Sequence, residues 1–253
     1  MTIRDVHTHN LHAGPGAIIN IEPDTPLPPQ GTFSTGVHPW RSSEAGTLWP
    51  LVEKTAADPR IAAIGECGLD RLRGAPLPRQ AELLRLHALL AERLRKPLIV
   101  HCVRAWAELL AAHRAIRPAQ PWIIHGFRGA PALARRLLDA GMHISLGERF
   151  NPLTAAVIPD SRLHVETDCS SLPIARIAAA ASFTWHSTPP VAMKRARKVS
   201  SGRAAASSTV RMLTFSKHFS SSLMRASWEL RTMLPSWSTE VNAMRLRIME
   251  GFY

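Results

Sequence analysis

Six side chains able to bind a metal, His7, His9, Glu66, His101, His125 and Asp168, each stand at or beside the end of a short apolar run, spread from position 7 to position 168. Residues so far apart in a chain converge only if the fold brings many strand ends to one rim. A closed ring of parallel strands with helices outside does this at its C-terminal face, so the pattern predicts a TIM (β/α)8 barrel with a metal site there. At 253 residues the chain has the length of one such unit.

Eight candidate strands can be read, most of them rich in Ile, Val or Leu: 3–7, 17–21, 32–37, 61–66, 98–102, 122–125, 142–146 and 163–168. Helical periodicity lies between several of them. Residues 78–95 carry Leu83, Leu84, Leu86, Leu90 and Leu94 on one face and close at Pro97. Residues 105–113 are amphipathic, 131–140 open on proline and stop at Gly141, and 174–183 supply the helix expected over the eighth strand. Strands alternating with helices imply a parallel sheet. The link 22–31 is short and proline-rich, so one crossover is expected to lack its helix.

The character of the chain changes near residue 178. Residues 179–253 hold 13 serines against 7 before them, and no aspartate. Of the formal charge of +12, residues 1–178 contribute 20 basic minus 16 acidic, and residues 179–253 contribute 11 minus 3, so the excess lies mostly outside the barrel. The reading is therefore a hydrolase barrel over 1–178 and an atypical Ser/Arg-rich extension over 179–253, loosely ordered apart from short helices at 223–234 or 241–249. A divergent extension and a tail translated in a different reading frame both fit that change. No apolar stretch approaches the roughly 20 residues of a membrane span, and the first dozen residues lack the basic-then-apolar order of a signal peptide. A soluble, cytoplasmic protein, monomeric and without a membrane partner, is expected. Cys67, Cys102 and Cys169 are too widely spaced for a disulfide framework, and each follows a proposed ligand. They read as small thiols at strand ends, or else as auxiliary ligands or redox sensors.

Alternate residues of a strand share a face, so His7 and His9 can bind one cation together. Glu66 ends an apolar strand between Gly65 and Gly68, where a carboxylate can bridge two cations. PLIVH and WIIH are near-duplicates, each ending on a histidine, His101 and His125. Asp168, at the end of the eighth strand, is the general-base candidate, and Glu166, on the same face, either supports a ligand or orients nearby backbone or an arginine.

The segments DVHTHN, GVHPW, AIGECGLD, PLIVHC, IIHGFRG, HISLG and HVETDCS resemble, in order and spacing, the TatD family of metal-dependent deoxyribonucleases, over about residues 3–174. That resemblance implies two divalent ions, Zn, Mn or Mg, with His7, His9, Glu66 and Asp168 on one and Glu66, His101 and His125 on the other. It makes Glu66 and Asp168 the catalytic pair, His38 a contact to substrate phosphate, and DNA, single-stranded ends included, the substrate. Several positions depart from the family pattern. Trp40 stands where a second histidine is usual, Arg71 where an aromatic is, and Val103 where an arginine is. Arg104 and Arg128 could supply the phosphate contacts instead. Hydrolysis of an amide, ester or aminoacyl bond on the same site, or an inactive barrel with a nucleic-acid-binding tail, are the other functions such a chain could serve.

Overall fold

A computed structural model describes residues 4–187. Eight parallel strands close into a barrel in chain order: β1 (Asp5–Thr8), β2 (Ala17–Ile21), β3 (Thr32–Thr35), β4 (Ile61–Asp70), β5 (Leu98–Val103), β6 (Trp122–Ile124), β7 (His143–Leu146) and β8 (Leu163–Val165). The ring is sealed where Asp5 of β1 pairs with Val165 of β8. Beyond that pair the seam continues through Thr8 and Asp168. Each expected strand is present, but β3 and β8 stop short of the expected ends, at Thr35 and Val165, so Asp168 lies three residues past β8 and joins the sheet through its bridge to Thr8. β4 runs four residues past Glu66, to Asp70, because Gly68 to Asp70 keep pairing with His101 to Val103 of β5.

The helices are α1 (Ala45–Ala56), α2 (Leu77–Leu94), α3 (Trp106–Ile116), α4 (Pro131–Asp139), the single turn α5 (Pro152–Ala155) and α6 (Ile174–Ser187). In α2 the leucine face packs inward, with Leu83, Leu84, Leu86 and Leu90 buried. Each such side chain contributes about 1.5–3 kcal/mol. The helix stops at Arg95, left-handed at φ 54°, whose amide reaches back to Ala91 and Glu92. In α4, Pro131 at the first turn and Gly141 beyond the end bracket the helix as expected. Two crossovers, rather than one, have no helix: residues 9–16 link β1 to β2, and 22–31 link β2 to β3. Both stretches carry proline and polar residues and too few apolar ones to cover a sheet.

The core joins Phe33, Ile64, Leu98, Val100 and Ile124 of the barrel to Trp49, Leu84, Leu109 and Leu137 of the helices. At the start of β7 and β8, His143 Nδ1 and His164 Nε2 are 2.9 Å apart with their rings stacked. The helix over β8 is α6, which continues through residue 178. The candidate helices at 223–234 and 241–249 lie outside the described residues. Among the described residues, no helix is long and apolar enough to cross a membrane.

Candidate metal centre

All six proposed ligands meet at the C-terminal mouth, around Glu66. This carboxylate is almost wholly buried, and its two oxygens face different partners. Oε2 lies 3.3 Å from His7 Nε2 and 3.4 Å from His9 Nε2. Oε1 lies 2.8 Å from His125 Nε2, 3.0 Å from His101 Nδ1 and 3.0 Å from His38 Nε2. Asp168 completes the first group, with Oδ1 at 3.9 Å from His7 and 3.7 Å from His9.

The local backbone explains how Glu66 arrives there. Gly65 and Gly68 have φ of 121° and 145°, which L side chains rarely adopt. A Cβ on Gly68 would meet the His101 carbonyl oxygen at 2.0 Å. The Glu66 amide donates to Asn20 Oδ1 at 2.8 Å, which ties the strand to β2. The carboxylate is thereby fixed at the barrel's centre, while Cys67 beside it turns into the hydrophobic core.

Asp168 is placed by the seam. Its amide donates to His7 O at 3.0 Å, and the His9 amide donates to its carbonyl at 3.0 Å. It takes φ 51°, a left-handed geometry that aspartate tolerates better than most residues. Below it, Asp5 accepts from the Thr167 amide (3.0 Å) and hydroxyl (2.6 Å), which locks β8 against β1. Burial raises the Asp5 carboxyl against the lowering effect of those bonds.

Electrostatics follow from the crowding. Burial by itself would raise the Glu66 carboxyl, but the charge of His125 and hydrogen bonds from His101, His125 and His38 outweigh it and hold the group well below the usual range. Burial likewise opposes the charged form of His125, and the carboxylates of Glu66 and Glu166 overcome it and raise its pKa. His9 is raised chiefly by its hydrogen bond to Glu66. Glu66 is therefore held as a carboxylate whose charge the surrounding imidazoles offset, and a bound cation would take over that role.

The donor set suits a divalent ion. His7 is fully buried, yet among the described residues neither ring nitrogen has a hydrogen-bond partner, an uncommon state for a buried imidazole. Its Nε2 instead faces the two carboxylates. Three groups have ligand atoms within 4.8 Å of one another: His7, His9 and Glu66; His38, Glu66 and His101; and His9, Asp168 and Cys169. His38, expected as a phosphate contact, thus reaches into the Glu66 cluster itself.

Two supporting carboxylates surround the histidines. Glu166 Oε1 lies 3.3 Å from His125 Nδ1 and accepts from the Gly126 amide at 2.6 Å, so it contacts both a proposed ligand and nearby backbone, the two roles read for it. Asp70, the last residue of AIGECGLD and given no role in the sequence reading, lies 3.3 Å from His101 Nε2 through Oδ2. The same oxygen accepts from Trp40 Nε1 at 2.6 Å, so the residue replacing the family's second histidine braces this carboxylate. Trp40 is half exposed and lies under the Arg73 guanidinium, 4.3 Å from its ring centroid. Arg128 and Arg104 are exposed. Arg128 lines a cleft of about 210 Å³ with Arg149, Asp168 and Cys169, whereas the backbone carbonyl of Arg104 accepts from Arg71 Nε.

Comparison with known proteins agrees with this geometry. The model of the family described as TatD related DNase matches residues 26–201, more than half of the chain. A protein named 3'-5' ssDNA/RNA exonuclease TatD from Edwardsiella piscicida is 32% identical over 154 residues, covering 55% of this chain and 58% of that protein. One named uncharacterized metal-dependent hydrolase TatD from Mycobacterium tuberculosis is 35% identical over 134 residues, covering 48% and 51%. The chain thus spans little more than half the length of these relatives. The crystal structure of YJJV, a TatD homologue from Escherichia coli K12, superposes with a TM-score of 0.55 at 20% identity, over 66% of this chain and 78% of that one, a likeness of fold.

Proposed function

The chain belongs to the TatD-related DNase family, and on that footing we propose that it is a metal-dependent hydrolase of phosphodiester bonds in DNA, acting on single strands or ends. One observation carries the reading: the two oxygens of a buried Glu66 are divided between His7 and His9 on one side and His101, His125 and His38 on the other. A carboxylate so divided is suited to bridge two cations. His7, His9, Glu66 and Asp168 would hold one, and Glu66, His101 and His125 the other. Divalent ions there would supply a water of lowered pKa and offset the charge of the phosphodiester.

The protein's own groups do the rest. Asp168 is about one-third exposed beside His9, at the edge of the cleft, so it can take the proton of the attacking water. Glu66, held by the Asn20 bond and five imidazoles, fixes the distance between the two halves. Glu166 and Asp70 orient His125 and His101 through their second ring nitrogens, which sets the tautomer each presents. Arg128, at the cleft, is placed to donate to phosphate oxygens, with Arg104 as a further contact on the rim. His38 Nε2 can turn from Glu66 to a phosphate oxygen once cations neutralise that carboxylate. Ligands that mix imidazole with carboxylate suit Zn²⁺ or Mn²⁺ and, more weakly, Mg²⁺.

The test is a substrate panel with the metal-reconstituted chain. Single-stranded DNA should be shortened, and small amides and esters left intact. Glu66→Ala and Asp168→Ala should each abolish turnover while keeping a folded circular-dichroism spectrum. Turnover of an amide or ester with DNA untouched would move the site to another substrate class. Undiminished DNA cleavage by both variants would remove the proposed centre altogether.

A further inference from the structure

The three cysteines have different surroundings. Cys67 is fully buried with Sγ directed at Ile99 O, and Cys102 is half-buried, but Cys169 is exposed and follows Asp168 directly. The left-handed Asp168 brings its carboxylate and the next thiol to the same side as His9, with the ligand atoms of all three within 4.8 Å of one another. Ligands of one tetrahedral zinc, at about 2.0 Å for nitrogen or oxygen and 2.3 Å for sulfur, stand roughly 3.5 Å apart. Rotation of an exposed thiol closes that difference. A second observation points to a cation at the same place: buried His7, with no hydrogen-bond partner on either ring nitrogen among the described residues, lies 3.9 Å from Asp168 Oδ1, the oxygen that also faces His9.

We propose that Cys169 is a sulfur ligand for the ion held by His9 and Asp168, so that this centre takes thiophilic divalent cations such as Zn²⁺, Cd²⁺ or Co²⁺ through sulfur as well as nitrogen and oxygen. The proposal rests on the metal reading given above and adds a ligand to it. A thiolate shifts selection away from Mg²⁺, which favours oxygen donors. The ion would enter by the cleft that Asp168, Cys169 and Arg128 line.

Cobalt reports the ligand directly, without any measurement of activity. The full chain is titrated with Co²⁺ under reducing conditions, alongside Cys169→Ser, Cys169→Ala and, as a control, Cys102→Ser. The wild type and the Cys102 variant should show visible ligand-field bands together with a near-ultraviolet sulfur-to-cobalt charge-transfer band. Both Cys169 variants should keep the visible bands and lose the near-ultraviolet one. Their Cd²⁺ affinity should fall by at least the roughly tenfold that losing even an outer partner of a metal site costs. Visible bands without the near-ultraviolet band in the wild type, or a near-ultraviolet band that survives in both Cys169 variants, overturn the sulfur ligand and leave the His and carboxylate centre standing. Absence of both band systems in the wild type overturns the metal reading itself and this proposal with it.

Discussion

His87 of α2 should make the fold lose stability as pH falls, by an amount that a single substitution can isolate. The ring is fully buried, with Nε2 2.9 Å from the Val37 amide and Nδ1 2.8 Å from Leu83 O. An amide N–H donates, so Nε2 must be the bare nitrogen and Nδ1 must carry the proton toward Leu83. A second proton would set N–H against N–H, in a place without water. Burial pushes the imidazole down to about 4 from an ordinary value of 6.5. The unfolded chain takes up this proton near 6.5 and the folded one only near 4. The unfolded state therefore binds more protons in that window, and the stabilisation present above it is lost as pH falls through it. A shift of that size corresponds to roughly 3 kcal/mol in full, of which about 2 kcal/mol disappears between about pH 7 and pH 5. His164, also lowered to about 4 by burial and by the neighbouring His143, acts in the same direction, so the wild-type slope alone does not isolate His87. The measurement is a difference between two proteins. His87→Gln keeps an acceptor for Val37 and a donor for Leu83 but does not titrate. Urea unfolding followed by circular dichroism, with chelator present, should show the variant less stable near neutrality and the gap narrowing by about 2 kcal/mol toward pH 5. Parallel curves for the two proteins would refute the argument.

Gly68→Ala should destabilise the barrel and weaken metal binding, since its Cβ would overlap the His101 carbonyl and its φ is 145°. A loss of at least about 1–3 kcal/mol in urea unfolding is expected. Trp40→Phe removes the bond to Asp70 and so frees His101, while leaving the core untouched. Activity should fall about 10–100-fold with unfolding free energy within about 0.5 kcal/mol of wild type, and an unchanged rate would mean that Asp70 needs no brace. Chelation should lower the melting temperature as well as stop turnover, because the proposed ligands come from the first strand, from the segment after the eighth and from strands between them, and scanning calorimetry with and without Zn²⁺ checks this.

The ring of strands and the convergence of the six proposed ligands were legible because both depend on where apolar runs stop. The runs that carry the proposed ligands end at or beside a residue that has no place in a hydrophobic layer, and a closed sheet gives those ends one address. Asp70 was not legible for the same reason: it belongs to the metal mouth only because β4 stays paired to β5 for four residues beyond Glu66, and its apolar run gives no sign of that. The structure of α1 is obscured in the sequence by Gly46 and Pro50, although Leu48, Trp49 and Val52 bury a continuous face against β3 and β4. Tertiary burial outweighs the weak helix propensity of that segment. The role of Trp40 also needed coordinates. As a bare substitution it reads as a lost histidine, whereas in space its indole nitrogen holds the carboxylate that steadies His101.

The seam between β1 and β8 has a consequence for how the centre can be assembled. Asp168 is gripped by the main chains of His7 and His9, so these three proposed ligands come together only in the step that joins the start of the described chain to its eighth strand. An ion that needs all of them can report on circularisation itself. Intermediates with seven strands aligned and the gap still open would hold it poorly, and each ion captured afterwards would act as a clasp, slowing the first rupture of the ring.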